Sequence, residues 1–97
     1  HPAVRMAACI AAPDELRGEE VKAYVVLQPG RDKRDVPPDM LSQFCLERLA
    51  YFKVPRYWEY RDDLPRTASE RVAKAALRQE REDLRIGAYD RMDRAWR

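Results

Sequence analysis

The chain has 97 residues, 37% of them charged, with a net charge of +2, which allows one domain and one core but no deep substrate cavity. Both signs of charge are interspersed, which excludes a nucleic-acid footprint with its basic residues gathered on one face. No apolar run is long enough to cross a bilayer and no secretory or transit pattern is present, so a cytoplasmic location without a membrane span is expected.

The chain opens His1-Pro2-Ala3-Val4 without a methionine, and a fragment of something longer is expected. Val4 to Ala12 reads as an extended strand with Val4, Met6, Ala8 and Ile10 on one face. Its single charge, Arg5, predicts a central position. Pro13-Asp14 stops it, and a polar loop turns at Gly18. Val21 to Leu27 is the clearest strand, β-branched and aromatic with one charge at Lys22. Pro29-Gly30 makes a turn, and Arg31 to Asp35 an exposed charged loop. Pro38 and Asp39 suit the first turn of a helix, where proline's missing N–H costs little and a carboxylate meets the positive dipole end. Leu41, Phe44, Cys45 and Leu49 then recur at helical spacing up to the break at Lys53-Val54-Pro55.

Arg56 to Arg61 alternates as a third strand, with Trp58 and Tyr60 on one face. Asp62-Asp63-Leu64-Pro65 is a loop. Thr67 and Glu70 form a Thr-x-x-Glu capping box ahead of a final helix, whose buried stripe is Val72, Ala73, Ala76 and Leu77. Beyond it, residues 79–97 read as a charged tail with few apolar anchors: Leu84, Ile86, Tyr89 and Trp96. The order β-β-α-β-α predicts an α+β fold. About three antiparallel strands would carry the helices on one face, a two-layer sandwich spanning residues 1–78.

Composition alone yields no catalytic set. No serine or cysteine has a histidine partner, and no glycine-rich loop offers a phosphate cradle. The adjacent carboxylates Asp62 and Asp63 read as solvated loop residues. Cys9 and Cys45 read as reduced, buried thiols. With one histidine and no Cys-x-x-Cys, no metal ligands are expected.

Four blocks carry a resemblance: His1-Pro2-Ala3-Val4; Pro13-Asp14-Glu15-Leu16-Arg17-Gly18-Glu19 with the strand after it; Tyr51-Phe52-Lys53-Val54-Pro55-Arg56; and Leu64-Pro65-Arg66-Thr67-Ala68-Ser69-Glu70-Arg71-Val72. In this order and spacing they resemble the C-terminal domain of AMP-forming acyl-CoA synthetases, a superfamily shared with peptide-synthetase adenylation domains and luciferases. The resemblance covers His1 to about Arg78, and the ending Tyr89-Asp90-Arg91 is similar to that of carnitine-type CoA ligases. It implies a mobile lid whose first helix and hinge lie upstream. The lid's partner would be the protein's own N-terminal adenylate-forming domain, and its substrate a carboxylic acid.

The resemblance further implies ATP and coenzyme A as cofactors, with Mg2+ held mainly by the N-terminal domain. Arg71 aligns with the family's reactive lysine, and Glu70 with the glycine usually before it. A cation is needed there because negative charge builds at phosphorus as the carboxylate attacks, but guanidinium is planar and longer than an ammonium. Lys74 lies one helical turn on. Arg17, Val54, Pro55 and Arg56 match residues that line the coenzyme A path. Two alternatives stay open: a lid serving a carrier-protein pantetheine, and a catalytically degenerate stand-alone binding or scaffold domain.

Overall fold

The computed structural model describes residues 1–14, 18–50, 53–69, 71–80 and 83–97, the side chain of Asp14 excepted. β1 (Val4–Asp14) and β2 (Gly18–Leu27) form an antiparallel hairpin paired from Val4↔Leu27 to Asp14↔Gly18. The second half of β2 runs through the core: residues 23–26 are each no more than 2% exposed. The turn that leaves it is closed by the Arg31 N–H donating to the Gln28 carbonyl at 3.0 Å. Gly30 sits there at φ +82°, beside Pro29, as a type II turn requires.

β1 lies at the edge of the sheet, whose strand order is β1-β2-β3-β4-β5. The expected central position is therefore corrected. Ala8, Ile10 and Ala12 are buried while Ala7, Cys9 and Ala11 are exposed. The strand is apolar because its residues are small, not because both faces are enclosed. The register shifts between Val4 and Met6. With Arg5 as the extra residue, Val4 turns to the face opposite Met6, Ala8 and Ile10, as a β-bulge does.

α1 (Pro38–Leu46) connects β2 to β3 (Tyr57–Tyr60), and these two strands run parallel. A parallel pair needs a crossover connection, which the helical segment supplies. Pro38 stands in the first turn with Asp39. At the other end the Arg48 guanidinium donates to the Phe44 carbonyl at 3.0 Å, satisfying an end group the helix leaves open. Leu41 is buried and Cys45 packs beside it. Leu49 lies past the helix end and is exposed, so the buried stripe is one turn shorter than expected. Both cysteines are free thiols, Cys9 exposed and Cys45 half-buried.

α2 (Lys74–Gln79), β4 (Tyr89–Asp90) and β5 (Ala95–Trp96) complete the order. The α+β class stands, but the sheet has five strands rather than about three and is mixed rather than antiparallel. The helices also cover opposite faces. Leu77 of α2 packs with Ala8, Ile10, Tyr24 and Tyr57, and Leu41 of α1 with Ala23, Val25 and Trp58. Successive residues of β2 and β3 are apolar on both sides of the pleat, so each face needs its own cover. The result is a helix–sheet–helix arrangement in place of the two-layer sandwich.

The charged ending takes part in this packing. Leu84 and Ala88 join the core beneath α2, and Tyr89 joins the one beneath α1. The boundary expected at 78/79 thus marks no break in the core. Among the described residues no helix is long and apolar enough to cross a membrane.

Candidate functional site

Arg71 sits on a tight loop after β3. The Thr67 N–H donates to the Arg71 carbonyl and the Ala73 N–H to the Pro65 carbonyl, each at 2.7 Å, and Arg66 and Val72 form an antiparallel bridge. These contacts close residues 66–72 into a small hairpin stapled at its base. Val72 packs against the core that holds Leu64 and Leu77. The Arg71 side chain is exposed and makes no side-chain hydrogen bond or ion pair among the described residues. The loop thus fixes the backbone and leaves the guanidinium outside.

The capping box expected ahead of the last helix is corrected by this geometry. α2 begins at Lys74, its N-cap is Ala73, and no side chain caps it. Thr67 lies across the hairpin from the helix start, and its hydroxyl faces that of Ser69 at 3.4 Å. Glu70 lies outside the described residues. Lys74 is exposed at the first helical position. Asp63 caps the Leu64 N–H at 2.9 Å and pairs with Arg66 at 3.2 Å, an ordinary loop role.

The other end of β3 carries the second group. Val54 and Pro55 are buried and Lys53 is exposed. The Arg56 side chain, 17% exposed, donates Nε and Nη2 to the two carboxylate oxygens of Asp90 at 3.0 and 3.2 Å. Its guanidinium is therefore held in a bidentate pair rather than standing free at the surface. The Arg56 N–H donates to the Val21 carbonyl at 2.9 Å, which splices the corner onto β2. Arg17 lies outside the described residues.

Asp90 is completely buried, and no sequence signal in the alternating charges singled it out. It also accepts Nε and Nη2 of Arg97 at 3.0 and 2.8 Å and the Met92 N–H at 3.0 Å. Burial works to raise its pKa, but the hydrogen bonds from Arg56 and Arg97 prevail and hold the carboxyl down at about 2. Two carbonyls of the corner are occupied as well: Pro55 accepts Nε of Arg91 at 3.1 Å, and Arg56 accepts the Arg91 N–H at 2.8 Å.

A second ion chain crosses the face under α2. Lys22, fully buried, donates Nζ to Glu59 at 3.0 Å and to the Leu84 carbonyl at 2.6 Å. Arg61 bridges Glu59 at 3.0 Å and Glu80, the residue that caps α2, at 2.8 and 2.9 Å. The Glu80 hydrogen bonds, chiefly, push the Arg61 pKa up. Here a signal was readable: a lysine inside a run of buried strand residues demands a buried anion.

β3 separates the two groups. Arg56 is next to Val21 at the start of β2, while Arg66 reaches Met6, which pairs with Val26 near the end of β2. The intervening strand places them roughly 15 Å apart. An open cleft of about 490 Å³ lies beside the end nearer Arg71, lined among others by Arg5, Arg31, Lys33 and Arg61.

The described structure is thus a small sheet with a helix on each face, an outward cation beyond one end of β3 and an ion-paired corner before the other. The chain matches the AMP-binding enzyme C-terminal domain over residues 1–71, and it belongs to that family. It is 41% identical over 85 residues to the uncharacterized acyl–CoA ligase YtcI of Bacillus subtilis (strain 168), covering 88% of this chain and 16% of that protein. It is 38% identical over 78 residues to the crotonobetaine/carnitine–CoA ligase of Salmonella arizonae, covering 80% of this chain and 14% of that protein. The crystal structure of an acyl-CoA synthetase from Brucella canis superposes with a TM-score of 0.74 at 34% identity, covering 79% of this chain and 14% of that one. The chain therefore spans about one-seventh of the length of these relatives.

Proposed function

We propose that this chain is the mobile C-terminal lid of an AMP-forming acid–CoA ligase. The intact enzyme would join a carboxylic acid to ATP as an acyl-adenylate, releasing pyrophosphate, and then pass the acyl group to the thiol of coenzyme A, releasing AMP. ATP and its Mg2+ would be held mainly by the protein's own N-terminal adenylate-forming domain, in a cytoplasmic enzyme. The lid's part is to bring Arg71 to the nucleotide for the first step. For the second it would bring Arg17 and the corner at Val54, Pro55 and Arg56 to coenzyme A.

The observation that carries this reading is the outward guanidinium of Arg71 on a loop closed by two 2.7 Å backbone hydrogen bonds. A cation with no side-chain partner among the described residues, on a backbone that does not need it, suits an anion supplied from outside. Transition-state stabilisation calls for such a preorganised charge where negative charge develops. Arg71 fits the phosphate and carboxylate oxygens by charge. Arg56 is already engaged by Asp90, so its contribution to coenzyme A is to hold the corner as well as to meet phosphate.

The test is pyrophosphate exchange by the full-length protein against a panel of carboxylic acids, followed by the Arg71→Ala variant in each half-reaction. Adenylate formation should fall on the order of a hundredfold or more, with thioester formation from preformed adenylate close to wild type. Equal losses in both half-reactions, or none in either, defeat the assignment.

A further inference from the structure

The terminal hairpin, residues 89–97, converges on the corner at Val54, Pro55 and Arg56 from three directions. Asp90 takes the Arg56 guanidinium with both oxygens, Arg91 takes the Pro55 carbonyl, and β4 pairs with β3 through Tyr57↔Asp90. Arg97 closes the arrangement by donating to Asp90 and by pairing its backbone with Ala88 at 2.9 Å. Asp90 thus orders two arginines, Arg56 and Arg97. The cations Lys53, Arg56, Arg91, Arg94 and Arg97 outnumber the acids Asp90 and Asp93 by three on the corner and hairpin together. One carboxylate is buried beneath this excess, while Lys53 is exposed and the Arg97 side chain is 34% exposed.

We propose that this hairpin extends the coenzyme A surface of the lid, with Asp90 as the positioning residue that orients Arg56 and Arg97 toward the phosphates of the incoming nucleotide. The proposal rests on the lid reading above and adds to it residues lying beyond the matched family segment. Asp90 acts through the arginines and does not itself touch the ligand, because its carboxylate is fully enclosed by donors. The excess of cations suits a multiply charged phosphate ester, and arginines held in fixed orientation recognise phosphate better than freely rotating ones.

The experiment uses the full-length ligase with the Asp90→Asn and Arg97→Gln variants and three readouts. These are pyrophosphate exchange, thioester formation with coenzyme A, and thioester formation with pantetheine, which has the thiol arm but no phosphates. Either variant should raise KM for coenzyme A about tenfold, as expected for a lost charge-assisted contact. Both should leave pyrophosphate exchange and KM for pantetheine within about twofold of wild type. Arg97→Gln serves where Asp90→Asn does not fold, since it keeps the buried carboxylate paired with Arg56. Rescue of the coenzyme A KM by Arg97→Lys further supports the proposal. A loss shared equally by all three readouts, or no change in any of them, overturns it. Failure of the wild-type protein to exchange pyrophosphate with any acid would instead overturn the lid reading.

Discussion

Protonating Asp90 removes the charge that holds the terminal hairpin to the sheet, and the size of that effect follows from its environment. The carboxyl is held down at about 2, below its ordinary value of 3.8, which corresponds to about 2 kcal/mol of folding free energy. Because the folded-state value is the lower one, the contribution is present in full above about pH 4 and disappears as pH falls through about 2. A domain of this size is stable by about 5–15 kcal/mol, so the loss is a sizeable share. Urea denaturation followed by tryptophan fluorescence measures it, since Trp58 is 4% exposed and sits in the core under α1. Between pH 5 and pH 2 the wild-type chain should lose about 2 kcal/mol more than Asp90→Asn. The variant should start about 3 kcal/mol lower at neutral pH, because two guanidiniums lose their anion. Asp83, also held near 2 by its hydrogen bonds to Arg85, titrates in both proteins and cancels in the difference. Parallel pH profiles for the two chains would refute the reasoning.

Two further outcomes test the packing. Lys22→Met should destabilise the chain by about 3–5 kcal/mol by leaving Glu59 short of a buried cation. Lys22→Met combined with Glu59→Gln should recover part of that loss, and the urea midpoints of the single and double variants decide it. Gly30→Ala should lower stability by about 1 kcal/mol. No neighbour lies within 4 Å of the added methyl, so the cost comes from the positive φ, and thermal melting of the variant checks it.

Much of the architecture was legible because period and composition agreed locally. Residues 21–27 declare a strand by β-branched and aromatic side chains with a single charge, and Trp58 and Tyr60 declared their shared face by alternation. The edge position of β1 was hidden because alanines and a cysteine read as core without being enclosed. The parallel pairing of β2 with β3 depends on where a helix carries the chain, which no local pattern records. β4 and β5 have two residues each, too few for any periodicity. They are held by Asp90 and by arginines drawn from residues 56 to 97, so their signal is a set of distant charges. Arg71 was visible only through the four-block resemblance, since an exposed arginine in a loop has nothing of its own to mark it. The helix start lies at Lys74 rather than beside Thr67, because the backbone bonds from Thr67 to Arg71 and from Ala73 to Pro65 close the chain on itself first.

The placement of Arg71 beyond one end of β3 and of Arg56 before the other bears on timing in the proposed enzyme. A stiff plate cannot offer two opposite rims to one small cleft at once. Whichever rim is docked, the other is withdrawn, so adenylation and acyl transfer would be kept from overlapping by rigidity alone, with no separate gate.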